Sequence, residues 1–167
     1  MKDLVYRKIT ASNNTDIKRL QLVLESAPNY YLTIQGTRPS SDEAFSELTS
    51  SPKGLPFENK SFYLIEQDTK AIGCFDILKG YPSKKVAFIG LLLFVESQQG
   101  NGLGSRALKF ALSLAIKWQL EKIQIAVVQN NHQALDFWEK EGFVELYRQE
   151  SDDYLAPIIV LELELNQ

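Results

Sequence analysis

The run from Val86 to Val95 carries no charged or polar side chain, and it limits the possible folds of this chain more than any other segment. A strand with one face in water alternates apolar and polar side chains, whereas a strand with both faces buried is apolar throughout. The run therefore predicts a central strand in a sheet that helices cover on both sides. With 44% hydrophobic residues among 167, the chain has enough apolar surface to bury one such core.

The pattern on either side of this run predicts one α/β domain, of the α+β kind, over residues 1–167. Alternating and aromatic-rich segments predict strands at 4–9, 62–66, 71–78, 86–95, 122–128, 143–147 and 154–165. Capping residues and helical spacing predict helices from the Asn/Thr cluster at 13–15 to just before Pro28, from about Ser40, from Leu103 to Trp118, and from about Asn131 to Glu141. Residues 29–36 are apolar and aromatic without a clear period, so they fit either a covered loop or an irregular helix.

Charge and cysteine content argue against several kinds of function. A net charge of −3 and a pI near 5.3 provide no basic field, so we expect neither nucleic acid nor an anionic membrane surface as a partner. Cys74 is the only cysteine and His132 the only histidine, which excludes an internal disulfide and a Cys/His zinc site. Cys74 lies in an apolar run and is expected to be an inert buried thiol.

The first residues are charged and no run reaches the ~20 apolar residues that span a bilayer. We therefore expect a cytoplasmic protein without a signal peptide. The oligomeric state is left open, with a homodimer among the options.

Three glycines at alternate positions join the apolar run to an amphipathic helix. They lie in the segment Gln99-Gly100-Asn101-Gly102-Leu103-Gly104-Ser105. Glycine tolerates positive φ and lets the backbone approach a phosphate closely, while the unpaired N–H groups and the positive dipole end of the next helix face the ligand. The turn therefore indicates an anion site, although a glycine-rich connection can also serve only to make a tight turn.

Two other phosphate-binding loops fit this segment less well. A Walker A loop needs Gly-Lys-Ser/Thr after its glycines, and that sequence is absent. Residues 102–107 fit the dinucleotide pattern G-x-G-x-x-A, but that fold needs an acidic residue ~20 residues further on, at the end of the next strand. Here that strand ends Val127-Val128-Gln129-Asn130, and the strands before Glu96 read as an antiparallel meander. Both features argue against an NAD-binding domain.

Two segments resemble the GNAT superfamily of acyl-CoA-dependent N-acyltransferases. Its phosphate signature, Q/R-x-x-G-x-G/A after the fourth strand, is matched at every specified position by residues 99–104. A second family segment reads N-x-x-A, an aromatic pair and then G-F. It is matched by Asn131-His132-Gln133-Ala134, Phe137-Trp138 and Gly142-Phe143. The resemblance covers residues 86–145, with the two segments at the right separation.

The resemblance implies a central mixed, mostly antiparallel sheet of about seven strands, flanked by about four helices. The sheet would splay between its fourth strand, ending near Val95, and its fifth, ending near Val128. Acetyl-CoA would enter this gap as a co-substrate, and no metal would be needed. The residues implied to hold it are Leu93, Phe94, Val95, Gln99, Gly100, Asn101, Gly102, Leu103, Gly104, Ser105, Asn131, Phe137 and Trp138.

The same resemblance implies roles within this set. Free backbone groups of Leu93 and Val95 would pair with the pantetheine amides, and the N–H groups of residues 99–105 would hold the pyrophosphate. Asn131 would contact the cofactor, serve as a helix N-cap, or do both. Phe137 and Trp138 would flank the thiol end or simply pack in the core.

The implied reaction is direct attack of a neutral amine on the thioester, with a backbone N–H near Val95 polarising the carbonyl oxygen. Many family members carry a glutamate in the fourth strand as base, but the run 86–95 has no carboxylate. Glu96 is the nearest candidate base, or else a surface charge beside the turn, and Asp76 and Tyr154 are further candidates. The family often has an acidic tyrosine where this chain has Trp138, whose indole is not a usable acid, so no general acid is assigned.

The acceptor pocket of the family is built from the first helices, their loop and the last strands. Candidates here for contact with the acceptor are Tyr30, Tyr31, Phe45, Asp76, Tyr81 and Tyr154, although such aromatics can also be plain core or lid. The acceptor would be a small-molecule or peptide amine of unknown identity. A second hypothesis is a sensor domain that binds acyl-CoA without turning it over.

Overall fold

A seven-stranded mixed sheet runs through the structure, a computed structural model that describes residues 2–165. Its strands are β1 (Val5–Ile9), β2 (Lys60–Gln67), β3 (Lys70–Lys79), β4 (Val86–Phe94), β5 (Lys122–Val128), β6 (Val144–Gln149) and β7 (Ile158–Glu164). They lie in the order β1-β2-β3-β4-β5-β7-β6. Only β4 and β5 are parallel among the described strands, and the other neighbours are antiparallel. The predicted fold class is confirmed.

Five α-helices in the described chain cover the two faces of the sheet. They are α1 (Asn14–Glu25), α2 (Pro28–Gln35), α3 (Glu43–Thr49), α4 (Leu103–Lys117) and α5 (His132–Lys140). The first three pack on one face, with Leu24, Tyr31 and Leu48 in one buried cluster. The last two pack on the other face, where Leu108 and Trp138 belong to a second cluster. Within residues 2–165, no helix is both long enough and apolar enough to cross a membrane.

The helix count exceeds the expected four by one because residues 28–35 form α2. Pro28 stands in the first turn of α2, where its missing N–H costs nothing and its fixed φ suits the helix. Gly36 ends the helix with a φ of 79°, in the left-handed region. Of the two alternatives for residues 29–36, a covered loop or a helix, the structure has the helix.

Helix α3 begins three residues later than the predicted capping box at Ser40. Glu43 Oε1 accepts from the Ser40 N–H at 3.2 Å, which is one half of that box. The Ser40 hydroxyl instead bonds to Asp42 Oδ1 at 2.8 Å, so the other half is not made.

The last strand also begins later than predicted, at Ile158 instead of Tyr154. Pro157 has no N–H to donate and directly precedes the strand. The loop before it lies on α2, where the Leu155 N–H donates to the Ile34 carbonyl at 2.9 Å. Tyr154 therefore lies in a loop that is bonded to α2, and it lines the same cavity as Tyr30.

Gly73 in β3 lies where no side chain fits. A Cβ there would be 2.7 Å from Phe94 Cδ1 and 2.9 Å from the Leu93 carbonyl oxygen. We expect Gly73→Ala to lower the free energy of unfolding by roughly 1–3 kcal/mol, as overpacking does in other cores. Urea unfolding measures this, and in a Phe94→Leu background the same substitution should cost less. An unchanged stability would contradict the packing described.

Candidate active site

The sheet opens between β4 and β5, at the ends of these strands. Their pairing runs from Val86 opposite Lys122 to Ile89 opposite Ile125, and no further pair joins them along the described strands. A cavity of about 230 Å³ lies in the opening. Gly90, Leu91 and Leu92 line it from β4, and residues 125–128 line it from β5. The splay implied by the resemblance is present.

The backbone groups that face this opening belong to Leu92 and Phe94. The Val95 N–H donates to the Ile72 carbonyl at 3.0 Å and therefore faces β3. Because N–H groups alternate sides along a strand, Leu93 faces β3 as well. The prediction that Leu93 and Val95 offer free groups was wrong, since sequence alone does not tell which alternate set faces the gap.

Gln99 braces the turn that follows β4. Its Nε2 donates to the Phe94 carbonyl at 2.8 Å, so that carbonyl is occupied. Asn101 Nδ2 lies 3.4 Å from the Gln98 carbonyl oxygen and closes the turn further. Both predicted cofactor residues therefore shape the turn with their side chains.

Gly100 and Gly102 bend the turn into the start of α4. Their φ angles are 81° and 75°, in the region that favours glycine. Among residues 2–165, no acceptor within hydrogen-bond distance pairs with the backbone amides from Gly100 to Ser105. Since α4 also directs its positive dipole end here, the turn has the geometry of an anion site.

Helix α5 packs closely on the first turn of α4. A Cβ at Gly104 would lie 3.0 Å from Phe137 Cε1, so glycine lets the two helices approach without a shift of the Phe137 ring. The Ser105 hydroxyl bonds to Glu141 Oε1, which leaves only the Ser105 amide facing the turn. Phe137 therefore packs the two helices together beside the opening.

Asn131 and Trp138 both line the cavity, from the start and the middle of α5. Asn131 Oδ1 accepts from the Ala134 N–H at 3.3 Å, so this residue is also the N-cap. Trp138 is 4% exposed and meets Phe143 edge to face, with ring centroids 5.0 Å apart. The indole is thus a core group with one edge on the cavity.

A β-bulge interrupts β4 at Gly90. Asp76 is opposite Leu91 but Ile77 is opposite Ile89, so Gly90 is the extra residue. A Cβ on Gly90 would lie 2.6 Å from Asp76 Oδ1 and 2.7 Å from Oδ2. The Asp76 carboxylate therefore occupies the place where a side chain at position 90 would begin.

The Asp76 side chain is almost completely buried beside one cation, Lys60. Lys60 Nζ lies 3.9 Å from Oδ2 and donates to the carbonyls of Glu47 and Ser50 at 2.5 and 2.6 Å. Burial raises the pKa of Asp76 to about 6, although Lys60 and the nearby backbone amides of Leu91 and Gly90 favour the charged form. Oδ1 makes no hydrogen bond of good geometry within the described chain.

Glu47 on α3 is a second carboxylate of the same interior region. Burial raises its pKa to about 7, the negative charge of Asp76 adds to this, and Lys60 opposes it. The two carboxylates therefore share one cation, and their titrations are coupled.

The tyrosines predicted to contact the acceptor surround this region to different extents. Tyr30 and Tyr154 line the cavity, and burial raises the pKa of both phenols, which keeps them protonated. Tyr31 is buried under Tyr30, and its hydroxyl has no partner within residues 2–165. Tyr81 packs edge to face on Phe88, which lines the cavity. Phe45 is 50% exposed and is not among the cavity residues.

Glu96 follows β4 in sequence, and its carboxylate reaches the N-terminus of α2. Its Oε2 accepts from the Asn29 N–H at 2.8 Å and its Oε1 accepts from Asn29 Nδ2 at 3.2 Å. Its own N–H donates to the Ser26 carbonyl at 2.9 Å. A carboxylate at a helix N-terminus is stabilising, so Glu96 ties the end of β4 to the corner between α1 and α2.

Sequence reasoning did not single out Lys60, Glu47 or Gly90. A glycine inside a strand pattern is a known sign of a bulge, so Gly90 carried a signal. Lys60 and Glu47 carried none, because each reads as an ordinary surface charge until the register of β2 and the position of α3 are known.

The fold and this site define an acyltransferase. The chain belongs to the GNAT acetyltransferase family, whose sequence model matches residues 25–143. A search of curated proteins by sequence found no significant match.

Solved acetyltransferase structures share the fold over almost the whole chain. An acetyltransferase from Thermus thermophilus is 23% identical, with a TM-score of 0.80 and coverage of 99% of this chain and 100% of that one. A GNAT family acetyltransferase from Elizabethkingia anophelis with acetyl-CoA bound is 18% identical, with a TM-score of 0.69 and the same coverage. Spermidine N-acetyltransferase from Vibrio cholerae, in complex with CoA and spermine, is 19% identical, with a TM-score of 0.72 and coverage of 97% and 95%.

Proposed function

We propose that this protein transfers the acetyl group of acetyl-CoA to a primary amine by direct attack, with both substrates bound together. The observation that carries the proposal is the opening between β4 and β5, which ends at a turn of unpaired amides. A pantetheine arm suits such an opening as an added strand suits a sheet edge. A diphosphate suits a glycine turn at a helix start.

The proposed contacts follow from the alternation along β4. The Leu92 C=O and the Phe94 N–H pair with the pantetheine amides, while Gln99 occupies the Phe94 carbonyl. The amides from Gly100 to Ser105 hold the diphosphate. Asn131 and Trp138 border the thioester end, and Phe137 supports them from behind.

Leu92 also supplies the donor that polarises the thioester oxygen in this proposal. It lines the cavity next to the bulge, and its N–H faces the opening, whereas the Val95 N–H is bonded to Ile72. A fixed backbone donor in a site without bulk water stabilises the charge that develops on that oxygen. A thiol of pKa about 8.5 leaves as thiolate without a side-chain acid, so Trp138 does not block the reaction.

The acceptor enters on the α2 side, between Gly90 and the aromatic walls of Tyr30 and Tyr154. The cavity of about 230 Å³ exceeds the about 150 Å³ that holds a benzene in an engineered protein core. It therefore admits the end of the thioester arm with a slender amine.

The test is release of free thiol from acetyl-CoA with four amines: benzylamine, 2-phenylethylamine, spermidine and a lysine-containing peptide. We expect at least one to form an N-acetyl product by mass spectrometry, at a rate above that without amine. CoA in hundredfold excess over its dissociation constant should raise the melting temperature by about 5–10 °C, and NAD should not.

Two other outcomes are possible, and one would contradict the enzymatic activity while the other would contradict the acetyl-CoA site. Stabilisation by CoA without any product would support the sensor hypothesis against the enzyme. Stabilisation by NAD and not by CoA would overturn the donor site itself.

A further inference from the structure

The place that a side chain at position 90 would occupy is filled from the neighbouring strand. Gly90 is the bulge residue of β4 and lines the cavity, and both Asp76 oxygens lie within 3 Å of where its Cβ would be. The bulge turns Gly90 and Leu91 toward the same face as Asp76, since Leu91 packs with the cluster under α1 and α2. The strand β4 has no carboxylate of its own, and the carboxylate of Asp76 from β3 lies beside its bulge instead.

The two oxygens of Asp76 have different surroundings. Oδ2 faces Lys60 Nζ at 3.9 Å, and Lys60 is fixed by the two carbonyls at the end of α3. Oδ1 makes no hydrogen bond of good geometry in the described chain, although the residue is only 4% exposed and the backbone amides of Leu91 and Gly90 lie near the carboxylate. A buried carboxylate oxygen without a partner is costly, and a ligand with an N–H donor relieves that cost.

We infer that Asp76 is the general base for the acceptor, with Oδ1 receiving the proton over the backbone of Gly90. This inference rests on the proposed function. Of the three protons on the acceptor's ammonium group, one passes to Oδ1 and then to solvent. The neutral nitrogen attacks the thioester carbon, the C–N bond forms, and the C–S bond breaks. The sulfur leaves as thiolate, the second proton leaves the nitrogen as the amide forms and ends on that thiolate, and the third stays on the amide.

The groups around Asp76 adapt its carboxylate to this role. Burial raises the pKa of Asp76 to about 6, while Lys60 from β2 and the backbone amides of Leu91 and Gly90 favour its charged form, so the carboxylate is ionised at neutral pH. Glu47 from α3 lies in the same region, and the negative charge of Asp76 raises its pKa further. Tyr30 from α2 and Cys74 from β3 also lie near it, and both are protonated at neutral pH. A base whose pKa is near the working pH combines the right protonation state with a useful driving force.

The test compares Asp76→Asn with the unsubstituted protein, using the best acceptor of the four amines, from pH 5 to pH 10. For the unsubstituted protein, kcat/KM should rise through about pH 6, where Asp76 ionises, and stay level until the amine itself loses its proton. For Asp76→Asn, it should fall by about 10²–10⁴ at pH 7 and keep rising up to the amine's own pKa, because only free amine can react.

Two further variants separate this role from a structural one. Lys60→Met should shift the lower limb of the profile to higher pH, since the cation that favours the carboxylate is removed. Gly90→Ala should lower kcat at least tenfold, because its methyl group would collide with Oδ1. Asp76→Asn and Lys60→Met should keep the CoA dissociation constant within about twofold, because neither residue belongs to the open edge of β4 or to the glycine turn.

The inference is overturned if Asp76→Asn keeps the level region and loses less than threefold activity while the unsubstituted protein acetylates an amine. It is also overturned if the lower limb survives in Asp76→Asn unchanged in position. If the unsubstituted protein binds CoA but acetylates no amine, the proposed function fails. The assignment of Asp76 as the base then fails with it.

Discussion

A Gly100→Val, Gly102→Val variant is expected to bind CoA about 100-fold more weakly than the unsubstituted protein. Both residues have positive φ angles, of 81° and 75°, and neither would place a Cβ within 4 Å of another group. The expected loss therefore comes from the backbone, since a left-handed conformation costs a non-glycine residue roughly 1–2 kcal/mol. Relaxation of the two residues would turn the amides away from the diphosphate, and about 1.4 kcal/mol corresponds to tenfold in affinity.

Gly54 provides a matched control for this variant. It has a φ of 86°, no neighbour within 4 Å of its Cβ position, and a place in the loop between α3 and β2. Gly54→Val should therefore carry similar backbone strain but leave CoA affinity within about twofold. Calorimetric titration with CoA measures both. Unchanged affinity in the double variant, with a native circular dichroism spectrum, would show that the turn does not hold the diphosphate.

The free energy of unfolding should fall by roughly 3–6 kcal/mol between pH 4 and pH 8. The folded protein raises the pKa of Asp76 from 3.8 to about 6 and that of Glu47 from 4.5 to about 7. One pKa unit corresponds to about 1.36 kcal/mol. Between these values the folded state holds protons that the unfolded state has already released, so the stability that these two groups contribute is fully present below about pH 4 and is lost as pH rises to about 7.

Urea unfolding at several pH values tests this dependence. The Asp76→Asn variant should be more stable than the unsubstituted protein at pH 8, by roughly 1–3 kcal/mol, because it removes a charge that burial disfavours while Glu47 remains as a counter-charge for Lys60. Adding Glu47→Gln should flatten the pH dependence further. Equal or greater stability of the unsubstituted protein at pH 8 than at pH 5 would contradict the raised pKa values of Asp76 and Glu47.

The stability and the turnover of the Asp76→Asn variant are linked, because both depend on the same buried charge. A charge kept in the core lowers stability, and such a cost is often found where a residue is needed for activity. A purely structural Asp76 would instead give a less stable protein when replaced by asparagine. Stability at pH 8 and turnover should therefore change in opposite directions in this variant.

Local patterns were sufficient for the sheet and the glycine turn. The apolar run became β4, with side chains in both core clusters, because a strand without polar positions has no face for water. The alternation over residues 122–128 became β5 without a change of bounds. The turn between them was recognisable because its glycines and the following helix are contiguous in sequence.

The positions of the carboxylates around the opening could not be predicted from local sequence patterns. The meeting of Asp76 with Gly90 depends on the register of β3 against β4 and on one bulge, and sequence spacing does not specify these. Glu96 is adjacent to the turn in sequence, yet its carboxylate is bonded to Asn29. The side of β4 that faces the opening also depended on register, which is why Leu92 and Phe94 replaced Leu93 and Val95.

We propose that the amides after Gln98 and the open edge of β4 hold acetyl-CoA together. An NMR titration of the ¹⁵N-labelled protein follows these amides individually, with CoA and with pantetheine as separate ligands. With CoA, the amide signals of Gly100, Gly102, Gly104, Leu92 and Phe94 should all shift and saturate together. With pantetheine, which lacks the diphosphate, only those of Leu92 and Phe94 should shift. Saturation by CoA that leaves the three glycine signals in place would show that the turn does not bind the diphosphate.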